Sequence, residues 1–418
     1  MPSRRNAIYI LIVMSLITGV FTGRAFFFNL AYMLFGILII SWIWVWTAIR
    51  WIGLTRRTRT RRAQVGQIFE ESFAFRNRSF LPKLWLEIID QSTLPGHRAS
   101  HIVPSVTIGG QYSWQVRTRC TVRGEFRLGP MLVSSGDPFG LFTLTRTIPA
   151  TSRMIVYPRM IQLNKLELPM GMLSGGESQR RRTHYVTTNA AGVRDYAPGD
   201  SFNRIHWRTS ARKERLVVKE FELDPLVDIW LIADFSAESL VEDSNIIKRV
   251  NGDGPVIASS SDIPPSTEEY VTVVAASLAR YFIQMERVIG FAAYIPNREV
   301  YQPERSNRQL TRILEALAVA RSTSTYTLGQ MLTLETPHMT RGTTLIIVTS
   351  SQNPDWVRRA QILTRRGIKP MCIYIEGDSF ASAPPADEII SRLRSAKIPV
   401  LRLRNGNDIN AILQQRPL

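Results

Sequence analysis

The chain has 418 residues, enough for two or three domain cores, and a formal charge of +18. Half of that excess lies in residues 1–69, which hold nine arginines with no lysine or acid. Half of the basic excess is therefore membrane-flanking charge; the two distant cysteines, Cys120 and Cys372, argue against a disulfide framework or a cysteine-based metal site.

Ile8 to Thr22 and Phe26 to Ile49 are apolar runs separated by Gly23-Arg24-Ala25. The second is long enough for the about 30 Å of hydrocarbon in a bilayer, and the first reaches it with its flanking residues. Trp42, Trp44, Trp46 and Trp51 suit an aromatic belt. A signal peptide is the rival for residues 1–25, but no convincing small-x-small cleavage site precedes the second run, so a retained hairpin is preferred. Arg4 and Arg5 on one flank and Arg50 to Arg62 on the other, against Arg24 alone in the turn, place both ends in the cytoplasm. The expected location is the cell (plasma or inner) membrane, multi-pass, with both termini and the soluble domains cytoplasmic. The arginine run then reads as a topology signal touching anionic lipid.

After this hairpin and its basic juxtamembrane segment (residues 1–62), residues 63–165 read as a β-rich module. Leu84, Leu86 and Ile88 alternate, as do Trp114, Val116, Thr118 and Cys120, with Pro95-Gly96, Gly109-Gly110 and Gly129-Pro130 as punctuation. Short strands with frequent turns suggest a small β-sandwich or barrel, with Asp137-Pro138-Phe139-Gly140 at a corner. Residues 166–225 hold a linker, with Gly175-Gly176 and the triple Arg180-Arg181-Arg182, followed by the densest stretch of the chain, Gly192 to Glu220. There Pro198-Gly199-Asp200 reads as a turn, with Asp200 placed to cap a short helix carrying Arg204, Ile205, Trp207 and Arg208. RLVVKEFEL after it is β-prone.

Residues 226–418 alternate strands and helices. An apolar strand from Val227 to Ala233 ends at Asp234, and Ser266-Thr267-Glu268-Glu269 reads as a capping box opening a helix to about Arg287. Further strands are expected at Val288–Tyr294, Leu345–Thr349, Pro370–Ile375 and Pro399–Leu403, with helices at Asn307–Arg321, Pro354–Arg366, Ala386–Ser395 and Asp408–Gln414. This alternation predicts an α/β fold, a parallel sheet with helices on both faces.

The stretch from Gly192 to Glu220 resembles the domain-of-unknown-function-58 family, whose hallmark is similar to Gly192, Arg194, Tyr196, Gly199, Asp200, Arg204, Ile205, Trp207, Ala211, Arg212, Leu216, Val218 and Glu220 in one ungapped run. Arg123 to Phe142 also resembles that family's upstream segment. The resemblance implies a membrane-anchored protein with a von Willebrand A-like, Rossmann-type domain, often encoded beside a MoxR-type AAA+ ATPase and other membrane or envelope proteins. It implies no known reaction. A von Willebrand A domain carries D-x-S-x-S at a strand end, where a carboxylate and hydroxyls bind Mg²⁺. Here Asp234 and Ser236 match, Glu238 stands at the second serine, the later strand ends Thr349-Ser350-Ser351 without an acid, and Thr267 and Thr323 are candidates for the threonine ligand. With two expected ligands present, a capped strand end with a structural Asp234 is favoured over a Mg²⁺ site.

The hallmark holds Asp195, Asp200, His206 and several basic residues. A hydrolase with His206 as base and Asp200 orienting it is one reading, but no nucleophile stands in a recognisable elbow or triad order. A structural lock is preferred, Arg194, Arg204 and Arg212 pairing with Asp195, Asp200 and Glu220, which leaves Arg208, Lys213 and Arg215 for an acidic partner surface. The chain contains no G-x-x-x-x-G-K-[ST] and no G-x-G-x-x-G after a strand, and its five histidines show no zinc spacing. The leading expectation is a non-enzymatic membrane-anchored adaptor serving the MoxR-type ATPase. A hydrolase at the hallmark comes second, and a nucleic-acid binder third.

Overall fold

The computed structural model describes residues 2–166, 190–197, 202, 205–221, 228–242, 263–295 and 297–417, with backbone alone at 2–3, 190–194 and 219–221. It divides into two compact units, Met1–Pro158 and Arg159–Leu418.

In the first unit, α1 (Pro2–Thr22) and α2 (Ala25–Ala48) are both long and apolar enough to cross a membrane. Gly23, at φ +70°, makes the tight reversal between them, a conformation that costs glycine least. The Ser15 hydroxyl donates to the Phe27 carbonyl (2.7 Å), so a polar group in an apolar helix is satisfied by its neighbour. Most of both helices' surface is apolar and exposed, which suits lipid and not a protein core.

Ten strands follow: β1 (Ile52–Thr58), β2 (Arg62–Gln64), β3 (Ile68–Asn77), β4 (Lys83–Asp90), β5 (His101–Val106), β6 (Gln111–Arg119), β7 (Gly124–Leu128), β8 (Met131–Gly136), β9 (Thr143–Ile148) and β10 (Ser152–Tyr157). They form an antiparallel sheet β1-β3-β6, a second β5-β4-β8-β9, and a small mixed sheet β2-β10-β7. The strict alternation of β3 turns Phe73 and Phe75 inward, where they share a core with Leu86, Ile88, Val103, Met131 and Val133 of the four-stranded sheet. A satellite core of Phe69, Cys120, Leu128, Met154 and Val156 fills the other end.

In the second unit, β11 (Ala190–Asp195) pairs with β12 (Val217–Phe221), and α3 (Trp207–Lys213) lies between them in sequence. The main domain runs β13 (Ile229–Ala233), α4 (Thr267–Gln284), β14 (Ile289–Tyr294), β15 (Arg298–Glu304), α5 (Asn307–Val319), α6 (Leu328–Glu335), β16 (Thr344–Thr349), α7 (Asp355–Arg365), β17 (Lys369–Ile375), α8 (Asp387–Ser395), β18 (Val400–Leu403) and α9 (Ile409–Leu413). Its sheet has the order β15-β14-β13-β16-β17-β18. Every neighbouring pair is parallel except β14 with β15.

β13, β14 and β16 are buried along their whole length, as unbroken apolar strands covered on both faces must be. One face packs Trp230, Ile232, Ile347 and Tyr374 against α6, α7 and α8; α4 contacts the same strands separately and packs on α5. The expected all-parallel sheet is corrected at one edge. β15 is antiparallel and carries Pro303, a residue tolerated at an edge because it donates nothing to a ladder. The capping box is corrected too: Ser266 makes no side-chain cap; separately, Glu268 in the first turn accepts from the Ser322 amide (2.6 Å).

Candidate functional site: the strand-end crevice

The winding of the sheet sets the site. From β13 the chain moves outward to β14 and β15, then returns to β16 on the other side and continues to β18. The carboxyl ends of β13 and β16 therefore flank the switch point where open α/β sheets leave a crevice. Asp234 leaves β13 there, held by its amide donating to the Val348 carbonyl (3.0 Å).

Asp234 is 2% exposed, and both its carboxylate oxygens are taken. Oδ1 accepts from the Ser236 amide (3.0 Å), and Oδ2 accepts from the Thr349 hydroxyl (2.5 Å). Burial pushes the Asp234 carboxyl above the usual range, against the opposing pull of Thr349 and Ser236, with Glu238 adding to the rise. Ser351 Oγ donates to the Glu238 carboxylate (3.2 Å), and Ser350 Oγ to the Ser239 carbonyl (2.6 Å). The segment after α5 forms another wall: Ser236 bridges to Ser324, and the Ala237 amide donates to the Ser324 carbonyl (2.9 Å). Ser236 Oγ is buried with no hydrogen-bond partner among the described residues.

These residues do not fit a Mg²⁺ shell. The ion needs near-octahedral oxygen ligands, usually with one or two ionised carboxylates. Here the one central carboxylate is spent on protein donors and biased toward its neutral form, and Thr349 donates a proton where a second acid would accept the ion. Thr267 is likewise spent, donating to Ser239 O (3.0 Å) and accepting from the Val241 amide (2.9 Å), while Thr323 is exposed. Among the described residues no group of three His, Cys, Asp or Glu could hold a metal ion. The crevice is lined with hydroxyls and nearly closed by its own hydrogen bonds. Ser324 is the lining residue that sequence reasoning missed, because it comes from a loop whose position only the sheet topology decides.

The hallmark residues lie on the β11–β12 hairpin and α3. Ile205 is buried and bridges to Val218, and Ser210 Oγ accepts from the Val217 amide (2.9 Å), which fastens α3 to β12. The expected cap is corrected. α3 starts at Trp207, and His206 is its N-cap, with Nδ1 accepting from the Thr209 amide (3.2 Å). That bond leaves the ring proton on Nε2 when the imidazole is neutral. Trp207 is exposed, as is Arg212, and the Tyr196 ring lies 6.2 Å from that of Phe202.

The lock is corrected in one pair: Arg215, expected to be free, reaches Asp195 at 3.0 Å. Arg194 and Glu220 occupy strand positions opposite Val218 and Gly192, with their side chains outside the described residues, and Gly199, Asp200 and Arg204 also lie outside them.

A buried ion cluster in the first unit carried no sequence motif. Arg56 binds Glu71 through Nε and Nη2 (both 2.8 Å) and reaches Asp90 (3.2 Å), and His97 Nε2 lies 3.0 Å from Glu71 and 3.4 Å from Asp90. The one available signal was Glu71 standing at an inward position of the alternating strand β3.

Residues 192–250 match the family described as "Protein of unknown function DUF58". The "Uncharacterized protein YeaD" of Bacillus subtilis is 32% identical over 148 residues, a match covering 33% of this chain and 36% of the relative, so the chain spans about a third of that relative. Among solved structures, the pilus adhesin SpaC of Lactobacillus rhamnosus GG aligns at 11% identity over 45% of this chain and 28% of its own, with a TM-score of 0.29. A CARDB domain from Pyrococcus furiosus aligns at 12% identity over 26% and 90%, with a TM-score of 0.19. Similarities this low carry no argument about fold or role.

Proposed function

We propose, for a chain whose residues 192–250 match the DUF58 family, a membrane-anchored, non-enzymatic adaptor that docks protein partners. The observation that carries this reading is the strand order of the second unit. Counted along that domain it is 3-2-1-4-5-6 with the third strand antiparallel, an arrangement consistent with a von Willebrand A-like domain, and Asp234 and Ser236 stand at its switch point.

The anchoring rests on α1 and α2, and the cytoplasmic orientation on Arg4, Arg5 and Arg50 to Arg62 flanking the pair. The partner proposed is a MoxR-type AAA+ ATPase, by family likeness alone. Docking at the crevice is proposed as metal-independent, because its central carboxylate is already satisfied by Ser236 and Thr349.

The test is co-purification of the detergent-solubilised chain with the ATPase encoded nearby, with and without nucleotide and with Mg²⁺ or EDTA. Association that persists in EDTA supports the reading; no association in any condition defeats it. A C-terminal reporter fusion checks the orientation, with activity expected on the cytoplasmic side.

A further inference from the structure

At one end of the β module, next to the last turn of α2, six apolar side chains face outward. Trp51, Phe80, Leu81, Trp85, Ile108 and Phe139 are between 38% and 74% exposed. Single exposed apolar residues are ordinary on a protein surface, whereas a cluster at one end calls for a covering partner.

The strand register gathers them. Ile52 pairs with Asn77, so the β3–β4 loop lies beside the chain as it leaves α2, and the Arg78 amide donates to the Trp51 carbonyl (2.8 Å). Asn77 Nδ2 donates to the carbonyls of Leu81 (2.8 Å) and Thr107 (3.1 Å), which draws in the loop bearing Ile108. Leu86 pairs with Ser135, which brings the start of β4 beside the turn at 137–142. That turn is rigid, since Asp137 accepts from the amides of Phe139 (3.0 Å) and Phe142 (2.6 Å), and it presents Phe139 at its tip.

This end is continuous with the helices. The rings of Trp42 and Trp46 lie 6.3 Å apart, those of Trp46 and Trp51 5.7 Å, and those of Trp51 and Phe80 6.0 Å, a file running from α2 onto the β3–β4 loop. The Lys83 ammonium donates to the Thr47 carbonyl and Arg146 to the Ile49 carbonyl (3.3 Å), so cations from the β module cap the end of α2. Arg50 lies over Trp46 (4.2 Å) and Arg5 over Phe142 (5.6 Å). Amphipathic rings and long basic side chains in one band are what the headgroup layer of a bilayer accommodates, and an anionic leaflet adds attraction for the arginines.

We propose that this end of the β module is itself seated in the membrane interface, with Phe80, Ile108 and Phe139 at the boundary between headgroups and acyl chains and the flanking arginines on anionic lipid. The occupant is thus lipid, and the module does not hang free below its anchor. The inference rests on the reading that α1 and α2 span the bilayer, and the test separates the two.

Cys120 and Cys372 are both buried, so a cysteine introduced at Phe80→Cys, Ile108→Cys or Phe139→Cys in the full chain can be labelled selectively with a polarity-sensitive fluorophore. The labelled proteins are reconstituted in phosphatidylcholine–phosphatidylglycerol vesicles containing either shallow or deep spin-labelled lipid. Two controls accompany them. Ile68→Cys is exposed at the far end of β3, about 30 Å away at 3.3 Å per residue. Gly36→Cys lies within α2, where nothing approaches an added Cβ within 4 Å.

The expected result is blue-shifted emission and loss of fluorescence with the shallow quencher at 80, 108 and 139, no loss at 68, and loss with the deep quencher at 36. Loss at 36 without loss at the three loop positions overturns the inference and leaves the spanning hairpin standing. Blue-shifted emission at the loops that neither quencher reduces means that protein covers this end, which also overturns it. No loss at 36 removes the hairpin reading, and the inference with it.

Discussion

Glu71 and Asp90 are carboxylates almost without solvent contact, at 0% and 2% side-chain exposure, and burying them uncompensated would be prohibitive. Burial alone would favour their neutral forms, but hydrogen bonds and charge from His97 and Arg56 outweigh it and hold both below the usual carboxylate range. Burial likewise disfavours the charged form of His97, and the bonds to Asp90 and Glu71 overcome it, holding the imidazolium above its ordinary value.

The signs follow from linkage. The His97 contribution is complete below about pH 6.5, the value of an unfolded histidine, and is lost as pH rises through the folded value. The carboxylate contributions are present above about pH 4 and are lost as pH falls through the depressed values. Melting of the intact protein in detergent should therefore be most resistant between these limbs. His97→Ala should flatten the alkaline limb and cost about 3 kcal/mol, the range for breaking a buried charge pair; an alkaline limb unchanged in that variant contradicts the assignment.

Asp234 differs because it faces hydroxyls and amides, not cations. Asp234→Ala should cost about 2 kcal/mol by stranding the Thr349 hydroxyl and Ser236 amide, and Asp234→Asn less because an acceptor survives. Denaturant midpoints read both, and added Mg²⁺ should leave the wild-type midpoint where it is.

Among elements, α6 and the β14–β15 hairpin are joined by one buried acid. Glu335 accepts from the Tyr294 hydroxyl (2.6 Å) and from Arg298 Nε (2.8 Å) and Nη2 (2.9 Å). Burial raises this carboxyl, but Arg298 and Tyr294 outweigh it and hold it ionised. Glu335→Ala should loosen α6 selectively, so amide exchange should quicken over residues 328–338 while β13 and β16 keep their protection.

α3 depends on its cap in the same local way. His206→Ala removes the acceptor for the Thr209 amide and should cost about 1 kcal/mol, the usual worth of an N-cap. That loss would show as early melting of the hallmark hairpin; a hydrolytic role would show instead as lost turnover at unchanged stability.

At the scale of the whole molecule, what could be read in advance was whatever a short repeat or a long composition bias encodes. Two apolar runs of membrane length, the alternation of Trp114, Val116 and Thr118 in β6 and the unbroken apolar β13 state their class directly, because a helix, a half-buried strand and a doubly covered strand each impose their own spacing of apolar side chains. Asp234 was legible as a strand-end carboxylate for the same reason.

The rest depended on where distant segments meet. Arg56, Glu71, Asp90 and His97 come from four separate segments, and no spacing along the chain marks them as neighbours. Ser324 reaches the crevice because the winding reverses between β13 and β16. Local periodicity is a property of consecutive residues and survives in the sequence; hydrogen-bond partners and charge neutralisation across the fold are properties of proximity, which only folding creates.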